Sequence, residues 1–349
     1  MFFASDNWAG AHPAINEALA KNSAGYSPAY GAGELDEKVR AKFDQLFEQQ
    51  TTVFFTSTGT AANSLALAAF NKPGAIGFCH RQAHMREDEC GAPEFLAPGA
   101  RLRIVDGPTG KMTPENLEAE IRDVLEVGPM AGRPAFVSIT QATEFGTAYS
   151  LDEIDALVKV AKAHNLPVHM DGARFANALD TLGCSAAEMT SKRGIDVVSF
   201  GGTKNGCWCA EALIFMNPQD AETMPYLRKR SGQVVSKSRF IAAQFDAYLH
   251  NDLWLELAGH ANEMAAQLEA AIRSSNNIAM AWQREANEVF AITSKAQFTK
   301  MQAGGAKIYD WPAPFGQEDI VTDDQIIIRL VTSFATTSQE IEAFSALTK

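Results

Sequence analysis

The stretch LPVHMDGARF (residues 166–175), followed by VVSFGGTKNGCW (residues 197–208), decides the fold. Its first run is apolar and strand-like and ends in Asp171. A helix carrying Arg174 follows, and the second run breaks after Phe200 into a small-residue turn that holds Lys204. An acid and a lysine at the C-terminal ends of two strands stand where open α/β sheets bind ligands. A nucleophilic lysine must lose its proton, and a turn tucked against a sheet promotes that by desolvation or through a neighbouring cation. Read alone, Lys204 is equally well explained as a solvated surface charge, so its company along the chain decides.

At 349 residues, with 46% hydrophobic content, the chain suits one large domain and a smaller companion. A net charge of −12 argues against a nucleic-acid or anionic-membrane partner, because either favours clustered Lys and Arg. Cys79, Cys90, Cys184, Cys207 and Cys209 are odd in number and lack the paired spacing of a metal site or a disulfide framework. No metal is expected, and a reducing cytoplasm fits. The opening MFFASDNWAG has neither the basic flank nor the long apolar core of a secretory signal. No run approaches the roughly 20 apolar residues that span a bilayer.

Working outward from the central stretch, strand-like and helical patterns alternate from Thr52 onward, which predicts an α/β fold with a mostly parallel sheet covered on both faces. Beyond Glu211 the texture changes to two long helical patterns and two strand-like runs. The expected division is a large domain over residues 1–240 and a small α+β C-terminal domain over residues 241–349. The first few residues are expected to pack with the small domain.

Three further constellations give Asp171 and Lys204 partners. In FFTSTGTAAN, a strand leads into Ser57, Thr58, Gly59 and Thr60 at the opening of a helix, where free N–H groups and the helix dipole suit a phosphate. The run matches neither nucleotide-binding fingerprint, and an ordinary helix cap also explains it. In AHMREDECG, His84 follows a strand, with Asp88 and Glu89 about one helical turn on. The ring could stack on a cofactor, and an exposed helix of mixed charge is the plainer alternative. Arg329 lies in the apolar run IIIRLVTSF, where a cation either meets an internal acid or binds a substrate carboxylate in bidentate fashion. An acid that keeps a heteroaromatic nitrogen protonated, an imine-forming lysine and a phosphate cradle are together the parts of a pyridoxal phosphate enzyme.

SDN, YGAGE, STGTAAN, AHMREDECG, HMDGAR and SFGGTKNG resemble, in the same order, the motifs of the low-specificity threonine aldolases, which are fold-type I pyridoxal phosphate-dependent enzymes. The resemblance implies a carbon–carbon lyase that cleaves threonine, allo-threonine and related β-hydroxy-α-amino acids to glycine and an aldehyde. It implies that Lys204 forms the Schiff base with pyridoxal 5'-phosphate, that Asp171 pairs with the ring nitrogen, and that His84 stacks on the ring and assists proton transfer. Gly59 and Thr60, with Ser57 or Thr58 nearby, would hold the phosphate, and Thr203 would belong to the cofactor site. Arg174 serves cofactor and substrate, Ser5 and Arg329 the substrate, and Asp88 or Glu89 stands in for His84 or orients it. Arg230 and Lys237 resemble the segment that reaches a neighbouring subunit's phosphate, which implies a homodimer or homotetramer with shared sites.

The chain departs from the family in lacking a second histidine between residues 100 and 140, which leaves the base for the β-hydroxyl open. The alternatives are a β-eliminating lyase, an aldolase specific for aromatic β-hydroxy-α-amino acids, and a protein that binds the cofactor without catalysis.

Overall fold

The computed structural model describes residues 1–349. Strands β1 (Thr52–Thr56), β2 (Ala75–His80), β3 (Arg101–Val105), β4 (Arg133–Thr140), β5 (Val168–Gly172), β6 (Val197–Gly201) and β7 (Glu211–Phe215) form one sheet in the order β1-β7-β6-β5-β4-β2-β3. Pairings from β6 through β5, β4 and β2 to β3 are parallel, and β7 runs against both of its neighbours. Strands β2, β5, β6 and β7 are buried along their whole length, as strands with helices on both faces must be.

A second, antiparallel sheet comprises β8 (Ile278–Met280), β9 (Glu288–Ser294), β10 (Tyr309–Trp311) and β11 (Gln325–Val331), in the order β10-β11-β9-β8. Phe3 joins it from the far end of the chain. Its N–H donates to the Lys307 carbonyl at 2.9 Å, and its own carbonyl accepts from the Val331 N–H at 2.8 Å.

Aromatic packing fixes the two central strands. Phe200 of β6 meets Phe175, just past β5, at a ring-centroid distance of 5.2 Å, and meets Phe43 at 5.3 Å. All three rings are buried, each contributing roughly 1.5–3 kcal/mol by leaving water.

The division expected at residue 240 does not coincide with the packing. Ile241, Ala242, Phe245 and Tyr248 of the Arg239–Tyr248 helix belong to the large core, and so do Trp254, Leu257 and Ala258 of the Leu253–Arg273 helix. Farther along the latter helix, Met264, Leu268 and Ile272 join the core of the small sheet. The apolar seam therefore crosses the middle of one long helix, because its apolar face runs unbroken through both cores. No helix is long and apolar enough to cross a membrane.

Candidate active site

The C-terminal edge of the large sheet carries Asp171 near the end of β5 and Lys204 in a turn just past β6. Their spacing is set by main chain. A Cβ on Gly201 would fall 2.9 Å from the Ala173 carbonyl oxygen and 3.0 Å from its Cα, so glycine is what lets the two strand ends close on each other. A cleft of about 250 Å³ opens beside them, lined by the Ser57–Thr60 turn together with His84, Asp171, Thr203 and Lys204.

Thr58 caps the Gly59–Ala69 helix by accepting the Ala61 N–H on its hydroxyl at 3.1 Å. Its side chain is thus committed to the cap. Gly59 and Thr60 hold the first two helical positions, whose N–H groups have no partner within a helix and carry the positive end of its dipole. The Ser57 N–H and hydroxyl both donate to Gln233 Oε1, at 3.1 and 3.0 Å. The Thr203 hydroxyl accepts from the Ala210 N–H at 3.2 Å and steadies the lysine turn.

One hydrogen-bonded chain links His84 to Asp171. His84 Nδ1 lies 2.9 Å from Glu89 Oε1, and Asn63 Nδ2 donates both to that same oxygen and to Asp171 Oδ2, each at 2.9 Å. Asp171 Oδ1 accepts the Ala173 N–H at 3.1 Å. Burial opposes charge on the His84 ring, but the Glu89 hydrogen bond and the Glu144 and Asp171 charges outweigh it and lift His84 above its ordinary value. Glu89 is raised mainly by burial. Asp88 is exposed, makes no side-chain hydrogen bond and does not line the cleft. The short His84–Glu87 helix ends before it, and Glu89 is the acid held inward, by Asn63 and His84.

The arginines are less free than the sequence suggests. Arg174 is buried and grips Asp6 with two hydrogen bonds, Nε to Oδ2 at 2.8 Å and Nη2 to Oδ1 at 3.1 Å. Its Nη1 lies 3.3 Å from Glu288 Oε2. Both carboxylates answer its charge, which leaves its guanidinium to position neighbours rather than to face solvent. Arg329 stacks 3.9 Å from the Trp311 ring centre, donates to the Ala4 carbonyl at 3.3 Å and stands 3.9 Å from Glu288 Oε1, with its side chain 12% exposed. Burial pushes Glu288 up to about 7 against the pull of these two arginines. Ser5 caps the turn after it by accepting the Asn7 N–H at 3.2 Å, and Asn7 itself lines the cleft. Arg230 and Lys237 are exposed and do not line it.

Asn63, Glu211, Asp6, Glu288 and Glu144 escaped the sequence reading. Asn63 ends the STGTAAN motif one helical turn past Gly59, and Asp6 directly follows Ser5, so spacing could have flagged both. Nothing local marks the three glutamates.

The architecture is that of the fold-type I pyridoxal phosphate enzymes. A tryptophan decarboxylase of Catharanthus roseus superposes with a TM-score of 0.74 over 99% of this chain and 82% of its own, at 16% identity. The chain belongs to the beta-eliminating lyase family, whose sequence profile matches residues 3–296. It is 40% identical over 330 residues to a low specificity L-threonine aldolase of Pseudomonas aeruginosa, covering 94% of each chain. A threonine aldolase of Leishmania major, 27% identical, matches with a TM-score of 0.91 over 99% of this chain and 98% of that one.

Proposed function

We propose that the protein cleaves the Cα–Cβ bond of β-hydroxy-α-amino acids, threonine and allo-threonine among them, to glycine and an aldehyde, using pyridoxal 5'-phosphate. The observation that carries this reading is the presence of Asp171 and Lys204 in one cleft beside the N-terminus of the Gly59–Ala69 helix, in a chain that resembles low specificity L-threonine aldolases over nearly its whole length. The donor set fits the cofactor. The Gly59 and Thr60 N–H groups suit its phosphate, the buried Asp171 carboxylate suits a protonated ring nitrogen, and Lys204 supplies the amine that would hold its aldehyde. When bound, that group supplies an electron sink for the pair released as a bond to Cα breaks.

The protein's own residues then have separable tasks. Asp171, held by Asn63 and the Ala173 N–H, keeps a proton on the heteroaromatic nitrogen. Arg329, 3.9 Å from Glu288 Oε1, would receive the substrate carboxylate and so orient the bond at Cα that is to be cleaved. His84, with Nδ1 tied to Glu89, has Nε2 left to take the β-hydroxyl proton directly or through a water. Arg174 fixes the loop that carries Asp6 and Asn7 at the cleft. The Thr58 and Thr203 hydroxyls, which accept the Ala61 and Ala210 N–H groups, shape the anion site by holding the helix start and the lysine turn in place. Arg230 and Lys237 belong, on this reading, to the cleft of a second copy in a dimer or tetramer, and the site of action is cytoplasmic.

The test is product stoichiometry on L-threonine. Glycine and acetaldehyde formed one to one support the proposal. A keto acid with ammonia instead would support β-elimination, the reaction that gives the matched family its description.

A further inference from the structure

Glu211 opens β7, paired in register with Thr56 of β1 and Gly201 of β6. It is only 7% exposed and lines the same cleft as Ser57, Gly59, Thr60 and Lys204. Oε1 accepts the Thr203 N–H at 3.3 Å. Oε2 accepts no hydrogen bond and stands 4.0 Å from the place where a Cβ on Gly59 would lie, at the mouth of the helix N-terminus. A buried acid aimed into an anion site is a conflict unless it carries a proton.

The charges around it do not resolve that conflict. Lys204 faces it from the turn and Asp171 from β5. The thiols of Cys207 and Cys209 lie in its own hairpin, and the Tyr248 phenol lies on the Arg239–Tyr248 helix. Beyond β1, Arg228 is engaged with the Phe55 carbonyl at 3.1 Å. Burial outweighs the Thr203 hydrogen bonds and Lys204, pushing Glu211 up to about 7.

A phosphate monoester is close to doubly charged at pH 8, since its second ionisation falls near ~6. We propose that Glu211 is the acid member of the phosphate cradle: Oε2 takes one proton from solvent as the phosphate enters and donates it in a hydrogen bond to a phosphate oxygen. No covalent bond changes, and the proton returns to solvent when the phosphate leaves. The proposal rests on the reading of residues 57–60 as the phosphate site. It makes cofactor loading, and not only turnover, a proton-coupled event.

The test uses cofactor-free protein and 4'-deoxypyridoxine 5'-phosphate, which lacks the aldehyde and cannot react with Lys204. Calorimetric titrations in buffers of different ionisation enthalpy count protons exchanged. Wild type should take up close to one proton at pH 8, and its association constant should fall nearly tenfold per pH unit above that. Glu211→Gln, an isosteric change that removes a buried charge, should bind with close to one proton less uptake at pH 8 and a correspondingly shallower pH dependence. Binding by wild type without proton uptake, or unchanged uptake in Glu211→Gln, overturns the role of Glu211 while leaving the cradle intact. Absence of any binding by wild type would overturn the cradle reading and this proposal together. The wild-type slope requires no variant to fold.

Discussion

Asn63 Nδ2 lies 2.9 Å from Asp171 Oδ2 and 2.9 Å from Glu89 Oε1, so a single amide group holds two buried acids in place. Without its two N–H bonds the carboxylates would face each other with less than a full set of donors. Asn63→Ala is therefore expected to lose about 1–3 kcal/mol of stability, the usual cost of stranding a buried acceptor. Urea unfolding of the cofactor-free protein measures it, and a midpoint equal to that of wild type would contradict the assignment.

Lys204→Ala should remove the visible absorbance of the cofactor-loaded protein together with nearly all turnover, because no other lysine lines the cleft. A variant that stayed yellow and active would place the covalent tether elsewhere.

His84 works as a base only when unprotonated, and its surroundings raise its pKa above 6.5. Turnover should accordingly climb with pH through a midpoint above that value and be small in acid. Glu89→Gln removes the main partner that favours the charged ring, so the midpoint of kcat against pH should move downward. An identical profile in the variant would assign the proton transfer to another group.

Arg329→Gln takes away a charged partner for the substrate carboxylate, an interaction worth about 1.5–3 kcal/mol, or roughly 10- to 150-fold in binding. The expected signature is a raised KM for threonine with cofactor affinity unchanged. Equal KM values would return Arg329 to the role of a partner for Glu288 and Trp311 alone.

Asp6→Asn breaks a buried bidentate pair with Arg174 and is expected to cost about 3–5 kcal/mol. Although burial opposes it, the Arg174 and Lys204 charges with the Asn287 hydrogen bond hold the Asp6 carboxyl below its ordinary value. The unfolded chain thus takes up the proton first, near pH ~3.9. The stabilising contribution is complete above that pH and disappears as pH falls through the folded-state value. The gap in unfolding midpoint between wild type and variant should be wide at pH 7 and should close progressively as pH is lowered past ~3.9.

What could be read from residues alone was whatever depends on short spans. Apolar runs ending in Asp171 and shortly before Lys204, and a hydroxyl-rich turn opening a helix at Gly59, follow from local pattern and turn chemistry. The Asp6–Arg174 grip joins residues 168 positions apart, and the Asn63–Asp171 bond spans 108, so no window of sequence contains either. Asp88 and Glu89 are chemically alike and adjacent. Only partners distant from the acid pair, such as Asn63, distinguish the buried one from the exposed one. The seam inside the Leu253–Arg273 helix was hidden for a similar reason, since a continuous apolar face does not announce that it serves two cores.

Phe3 is clasped between Lys307 and Val331, while three residues later Asp6 holds Arg174. This short run is a strap between the two cores: one end lies against the small sheet and the other is anchored at the edge of the large one, so the part of the cleft that carries Asn7 keeps its place only while both sheets are folded.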